Sequence, residues 1–514
     1  MVTIETFEQV CDKVRGLLLS PIALLCSIPL IVVWRLLGSS PADPDLFARV
    51  AMGRLAISLD YVPLHDPFAF TPTLPTWVDH EWLSGVVFYL IASTCGDPGL
   101  VLLKVLLASS AAVCVALASR RYAPEFSARF MWITLCVLHA ASAWTSTVRC
   151  QAFTYLFLPM LYWAIIEYRK DRNIFALSLT PLLAIAWVNI HGGYALGCVG
   201  IALLVGCETL ERRLSKSLIL IAVGWALAPI FTPYGWWGFV SFLVDSLGME
   251  RPGIVEWFPL HTDVPSFIAT ILLCAPLFVG LVVRKRSGDL FALAALSFSG
   301  YCALRHTRFL PFFMITAAIF GAPYVDAALE KVRSLRPTLY TSTTRCGALV
   351  CATFMAIGSL HLILLAISPS TYRLDYKSFP IGAVEWLRTQ GITGKLLVDF
   401  NTGSYALWRV YPNMKISTDG RYEECYPNQT VLDNALAFHP EREAGRSAFE
   451  RINPTHILLS STHGIQNLDA AFGEGWAIVY RDPQAVVLAH AANYDAVSTT
   501  ELAPVPLDMW APRF

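Results

Sequence analysis

The first long polar stretch, residues 39–81, carries Asp43, Asp45, Asp60, Asp66 and Asp79, with His80 and Glu81 directly before the next apolar run. A carboxylate can take a proton from a hydroxyl, ligate a divalent cation or pair with an arginine. At the mouth of an apolar run it is costly unless it is solvated, paired or used, so this stretch is a candidate site. Asp43 and Asp45 also stand where an N-cap would open a helix expected over Leu46–Leu59. Phe68, Phe70, Trp77 and Trp82 interleave with the acids, as in a binding site or an interfacial aromatic belt.

Three later segments carry the complementary chemistry. Arg149 precedes Gln151 between two apolar runs, Arg305-His306-Thr307-Arg308 sits before another, and Asn189 and His191 occupy the turn before Gly192-Gly193. The planar fork of a guanidinium gives bidentate contacts to phosphate. An arginine snorkelling to an interface, and polar side chains capping helix ends at a glycine hairpin, are the competing explanations. Thr232–Trp237 and Glu256-Trp257-Phe258-Pro259 are aromatic-rich and read first as interface anchors.

Lipid must be the solvent for the elements that position these residues. Of 514 residues 55% are hydrophobic and only 15% charged, with mean hydropathy +0.53, whereas about a quarter are charged in soluble domains. The 38 basic residues balance 38 acidic ones, so nothing points to nucleic acid. Most cysteines lie inside apolar runs, as small hydrophobes. At about 20 residues per crossing, eleven spans are expected at 17–38, 82–118, 129–146, 150–167, 174–190, 192–209, 217–232, 266–283, 289–304, 309–327 and 346–367. The first reads as an uncleaved anchor.

Basic clusters at Lys13/Arg15, Arg120/Arg121, Arg169/Lys170/Arg172, Arg212/Arg213/Lys216, Arg284/Lys285/Arg286 and Arg333/Arg336/Arg345 orient the spans by facing the cytoplasm. The polar segments above then fall together on the outer face. Residues 82–118 are long enough for two passes, with Gly96-Asp97-Pro98-Gly99 as a turn, but parity requires one net crossing. A half-span over 82–96 is the expected solution, giving 11 to 12 spans in all. From residue 368 the composition turns polar, with strands expected at 395–400, 456–460, 476–480 and 485–489 and a helix at 381–389. The expected architecture is a polytopic α-helical membrane domain, 1–367, with its first outer loop at 39–81, followed by an exoplasmic α/β domain, 368–514.

The order of an anchor span, Asp43-Pro44-Asp45 at its exit, a short helix, Pro63, Asp66-Pro67-Phe68 and His80-Glu81-Trp82-Leu83 resembles the first outer loop of the GT-C glycosyltransferases. The resemblance covers most of the chain in layout and rests on short motifs. It implies a sugar donor on a polyprenyl phosphate, a glycan, lipid or protein acceptor in the envelope, and an inner-membrane location in a bacterium. An acidic residue after the first span would be the base or a metal ligand, which selects Asp45, with Asp43 as its rival. Asp66, His80, Glu81, Arg149, Gln151, Asn189, His191, Arg305, His306 and Arg308 would then contact substrate. A divalent cation, Mg or Mn, is the candidate cofactor, although Leu46-Phe47-Ala48 stands where such loops often carry aromatics and a histidine. A lipid-linked-sugar flippase and a non-catalytic assembly protein are the alternatives; the isolated Lys104, His139 and His361 and the lack of a repeated half argue against the flippase.

Overall fold

The computed structural model describes residues 41–123, 126–140, 149–249, 251, 254–284, 289–338, 374–460, 475–490 and 508–510, with a few isolated positions besides. The expected spans at 17–38 and, largely, 346–367 lie outside the described residues. The described chain forms two compact units: one comprises residues 101–231 and 250–373, the other 41–100, 232–249 and 374–514. The acidic first loop is thus built into the same unit as the polar C-terminal region.

In that second unit, the helix Pro44–Leu59 starts at Asp43, whose carboxylate accepts from the Asp45 N–H at 3.0 Å, with Pro44 in the first turn. Leu46 through Ala56 are all buried, so the helix is enclosed on every side. It meets the start of the next helix, Trp82–Tyr122, through two glycines. A Cβ on Gly53 would lie 2.1 Å from the Gly85 carbonyl oxygen, and one on Gly85 only 2.6 Å from that of Arg49. This backbone contact sets Arg49 beside the residues that lead into the second helix.

The C-terminal part carries a six-stranded mixed sheet in the order β2-β1-β3-β5-β4-β6. The strands are β1 (Gly394–Leu397), β2 (Met414–Ile416), β3 (His456–Ser460), β4 (Trp476–Arg481), β5 (Ala485–His490) and β6 (Ser498–Thr499). The first three pair in parallel, whereas β5 runs antiparallel to both β3 and β4. Leu397, Ile457, Leu459, Val486 and Leu488 form a core with Ala437, Ala448 and Ile452 of the covering helices. The first loop extends this sheet at its edge: Phe70 N–H donates to Ile416 O and Ile416 N–H to Phe68 O, both at 3.0 Å. Phe47, from the loop helix, packs among Phe379, Tyr405 and Trp510, stacking on Trp510 with centroids 5.6 Å apart.

The helix Trp82–Tyr122 breaks at Gly96, whose φ of 61° and ψ of −154° leave the helical region. Residues 82–95 rise roughly 21 Å, short of the ~30 Å hydrocarbon core. Asp97 follows the break. Its carboxylate accepts from Tyr376 OH at 2.6 Å, Trp510 Nε1 at 2.7 Å and Leu374 N at 3.2 Å.

The expected number of spans is not reproduced. Among the described residues, two helices, Trp82–Tyr122 and Val264–Val283, are long and apolar enough to cross a membrane, or up to four spans if each of two bent helix pairs counts as one. The apolar runs at 174–190, 192–209 and 289–304 form shorter helices. Breaks account for part of the difference: Leu179 divides the first of them into Ile174–Ser178 and Thr180–Ile190, and extended His191 ends the latter before Tyr194–Leu210 begins. Apolar composition persisted across turns that end helical hydrogen bonding. In this first unit, Arg169 binds Glu208 at 2.7 Å, Asp289 at 2.8 Å and Glu211 at 3.0 Å, so part of the basic clustering is neutralised within the fold.

Replacing Asp97 with Ala should remove acceptors from three donors and lower stability by about 2 kcal/mol. Hydrogen exchange should rise around residues 374–376 and 508–510; unchanged protection there would show that Asp97 does not hold them.

Candidate functional site

Arg49 is the centre of the second unit's charge distribution. An arginine inside an apolar helical run needs compensation, and three carboxylates supply it. Nη1 lies 2.6 Å from Asp79 Oδ1, Nε lies 2.9 Å from Glu81 Oε2, and the fork contacts Glu424 at 2.6 and 2.9 Å. His80 Nδ1 stands 3.0 Å from Glu424 Oε1, and its Nε2 stands 3.6 Å from Glu81 Oε1. The Asp79 N–H donates to Tyr234 OH at 2.9 Å. All three carboxylates are buried.

Their titration separates accordingly. Burial, reinforced by the Glu424 and Glu81 charges and only partly offset by Arg49, raises Asp79 to about 6. Burial also opposes ionisation of Glu424, but Arg49 and His80 outweigh it and hold that carboxyl at about 2. Burial disfavours protonated His80, yet the Glu424 carboxylate and its hydrogen bond raise the imidazole above its ordinary range.

Ligand atoms of His80, Glu81 and Glu424 all lie within 4.8 Å of one another, close enough to hold a metal ion. Imidazole and carboxylate also suit a divalent cation by donor type. Arg49, however, already occupies Glu81 Oε2 and both Glu424 oxygens. Binding a divalent ion would mean displacing or confronting that guanidinium. The group as folded is an arginine–carboxylate site, and no reaction step is assigned to a metal.

A second buried knot uses Asp66. Arg421 donates to Asp66 Oδ1 at 2.5 Å and to Asp419 at 2.6 to 3.1 Å, with its guanidinium 4.7 Å from the Trp77 ring centroid and 5.1 Å from that of Phe68. Asp66 also accepts from Phe68 N and Ala69 N, which shapes its turn. Asp66 thus joins loop to tail, and Arg421 engages the loop's own carboxylate.

Asp45 is placed differently. It is half-buried in the first turn of Pro44–Leu59, where a helix favours negative charge. Its carboxylate lies against the Asp419-Gly420-Arg421 turn, so closely that a Cβ on Gly420 would fall 2.4 Å from Asp45 Oδ1. Asp43 is 1% exposed and serves as the cap.

The cationic residues belong to the first unit. Arg149 Nη1 meets Glu256 Oε1 at 2.5 Å, Arg308 lies 4.5 Å and Arg251 4.1 Å from the Trp257 ring centroid, and His306 Nδ1 contacts Trp257 O at 2.7 Å. Burial opposes ionisation of Glu256, but Arg149 and Arg308 together hold its carboxyl below the ordinary range. Gln151 opens the helix Gln151–Asp171, and Arg305 is exposed at the end of Leu290–Arg305. Asn189 donates to Ile185 O at 2.8 Å, while His191 Nδ1 accepts from Gly193 N at 2.9 Å and contacts Thr154 Oγ1 at 2.8 Å. Both side chains therefore build the turn in which they stand. Arg49, Glu424 and Arg251 were not singled out from the sequence. Arg49 could have been found as a cation inside an apolar helical run; Glu424 gave no comparable signal.

The pH dependence of folding tests the Arg49 group. Asp79, raised from 3.8 to about 6, contributes stability that is present below about pH 4 and lost as pH rises through about 6. Glu424, lowered from 4.5 to about 2, contributes stability that is present above its ordinary value and lost as pH falls through about 2. Asp79→Asn should therefore shrink the fall in unfolding temperature between about pH 4 and pH 7. An undiminished fall would contradict the assignment.

No protein-family model matches the chain, and no curated protein matches it significantly. Its structure is similar to that of the apo oligosaccharyltransferase of Archaeoglobus fulgidus, at 12% identity over 86% of this chain and 69% of that one, with TM-score 0.46. The same archaeal enzyme, AglB, in complex with an inhibitory peptide and a dolichol-phosphate aligns at 13% identity, 86% and 69% coverage and TM-score 0.42. Arabinofuranosyltransferase AftD from Mycobacteria aligns at 13% identity over 92% of this chain and 40% of that one, with TM-score 0.49. These are glycosyl-transferring enzymes by name.

Proposed function

We propose that the protein is a GT-C-type membrane glycosyltransferase, moving a sugar from a polyprenyl-phosphate donor to an envelope glycan, lipid or protein acceptor. Its setting would be a bacterial inner membrane, with the C-terminal region on the exoplasmic side. The observation that carries this reading is the placement of Asp45. Asp45 holds a half-buried carboxylate in the first turn of Pro44–Leu59, against Gly420, which has no side chain.

Asp45 would accept the proton of the acceptor hydroxyl as that oxygen bonds to the anomeric carbon. The bond from the anomeric carbon to the phosphate oxygen breaks with its electron pair, and the lipid phosphate leaves. This single displacement inverts the anomeric centre. A leaving phosphate is stabilised by hydrogen-bond donors, and guanidinium forks such as those of Arg149 and Arg308 suit it. Asp43 holds the helix rather than reacting.

Asp45→Asn keeps the size and can still accept hydrogen bonds, but it cannot take the proton. In a host lacking the native gene it should lower the glycan product on the order of 10²- to 10⁴-fold at unchanged protein abundance. Full glycan from that variant would sink the catalytic role.

A further inference from the structure

The first unit gathers Arg149, Arg251 and Arg308 around a single short segment, Glu256-Trp257. Arg149 reaches the Glu256 carboxylate directly, and the guanidiniums of Arg251 and Arg308 lie 4.1 and 4.5 Å from the Trp257 ring centroid. His306 fixes the same segment, with Nδ1 2.7 Å from Trp257 O, and the Thr307 N–H donates to Phe258 O at 2.9 Å. Arg149 and Arg308 both act on the Glu256 carboxylate, while Arg251 packs on the neighbouring Trp257 ring. The Arg149 and Glu256 side chains are 29% and 44% exposed, so an anion from outside can reach the pair. A carboxylate presents two oxygens to a guanidinium fork in the manner of a phosphate edge.

We infer that Glu256 is a built-in occupant of a phosphate subsite: its carboxylate sits on Arg149 until the phosphate of an incoming lipid displaces it. This deepens the donor reading given above and rests on it. The subsite needs no rearrangement of Arg149, only departure of the carboxylate, which belongs to a short 3-10 turn, Val255–Trp257. The cost of that departure is small because the pair is partly exposed. An exposed ion pair is worth about 0.2–1 kcal/mol, enough to weaken phosphate binding by a few-fold and to favour release of the lipid phosphate after transfer. Trp257 and the cations packed on it keep the positive field in place when the carboxylate is gone.

The test uses the full chain purified in detergent and equilibrium binding of a radiolabelled polyprenyl monophosphate, with inorganic phosphate as competitor. Glu256→Gln should bind the lipid about two- to fivefold more tightly than the native protein, while Arg149→Gln should bind it more weakly. Inorganic phosphate that displaces the lipid supports recognition of the phosphate itself; failure to displace it would show that the chain, not the phosphate, is being bound and would overturn the subsite. Binding by Glu256→Gln equal to or weaker than native, with Arg149→Gln still weakened, would overturn the role of Glu256 and leave the donor reading standing. If neither Arg149→Gln nor Arg308→Gln changed binding, the donor reading itself would fail. Glu256→Ala, checked for monodispersity, repeats the comparison without an amide.

Discussion

A guanidinium buried in protein must be neutralised where it lies, and Arg49 imposes that constraint on the whole second unit. A buried charge deprived of its partner costs about 3–5 kcal/mol, so the fold that buries Arg49 must bring carboxylates to it. Asp79 and Glu81 arrive from the end of the same loop, and Glu424 from far along the chain. The Gly53–Gly85 contact allows the approach, because any larger side chain there would hold the two helices apart. Packing and charge thus specify the same arrangement.

Arg421 is the reciprocal case. Arg49 belongs to the loop and takes a carboxylate of the tail; Arg421 belongs to the tail and takes Asp66 of the loop. Two crossed ion pairs fasten segments that sequence distance would otherwise leave independent, and a one-residue slip of either partner would leave buried charges uncompensated. The first unit inverts the ratio. There two arginines, Arg149 and Arg308, act on the single carboxylate of Glu256, and the Arg149–Glu256 pair is partly exposed rather than sealed.

Much of this was legible in local signals. The helix at 381–389 and the cores of β3, β4 and β5 follow from periodicity, and Asp43 at the start of Pro44–Leu59 is the cap that its position announced. The strand expected to run to Phe400 ends at Leu397 because Asp399 caps the following helix, accepting from Asn401 N and Thr402 N. β2, only three residues long, exists through its pairing with β1 and with the first loop, which no local pattern encodes. The same is true of the carboxylates. Their chemistry was readable, but whether each serves a base, a cap or an ion pair depends on partners such as Glu424 and Arg421, hundreds of residues away. Apolar composition likewise announced a membrane protein without fixing where its helices break.

The contact between Asp97 and Trp510 spans 413 positions. Synthesis proceeds from the N-terminus, so Trp510, which both stacks on Phe47 of the loop helix and anchors to Asp97, is joined only 413 positions after that carboxylate. Glu424 and Arg421 also come late. The loop that carries Asp45 therefore waits for partners made hundreds of residues later, and it acquires its final shape only once Arg421, Glu424 and Trp510 have joined it.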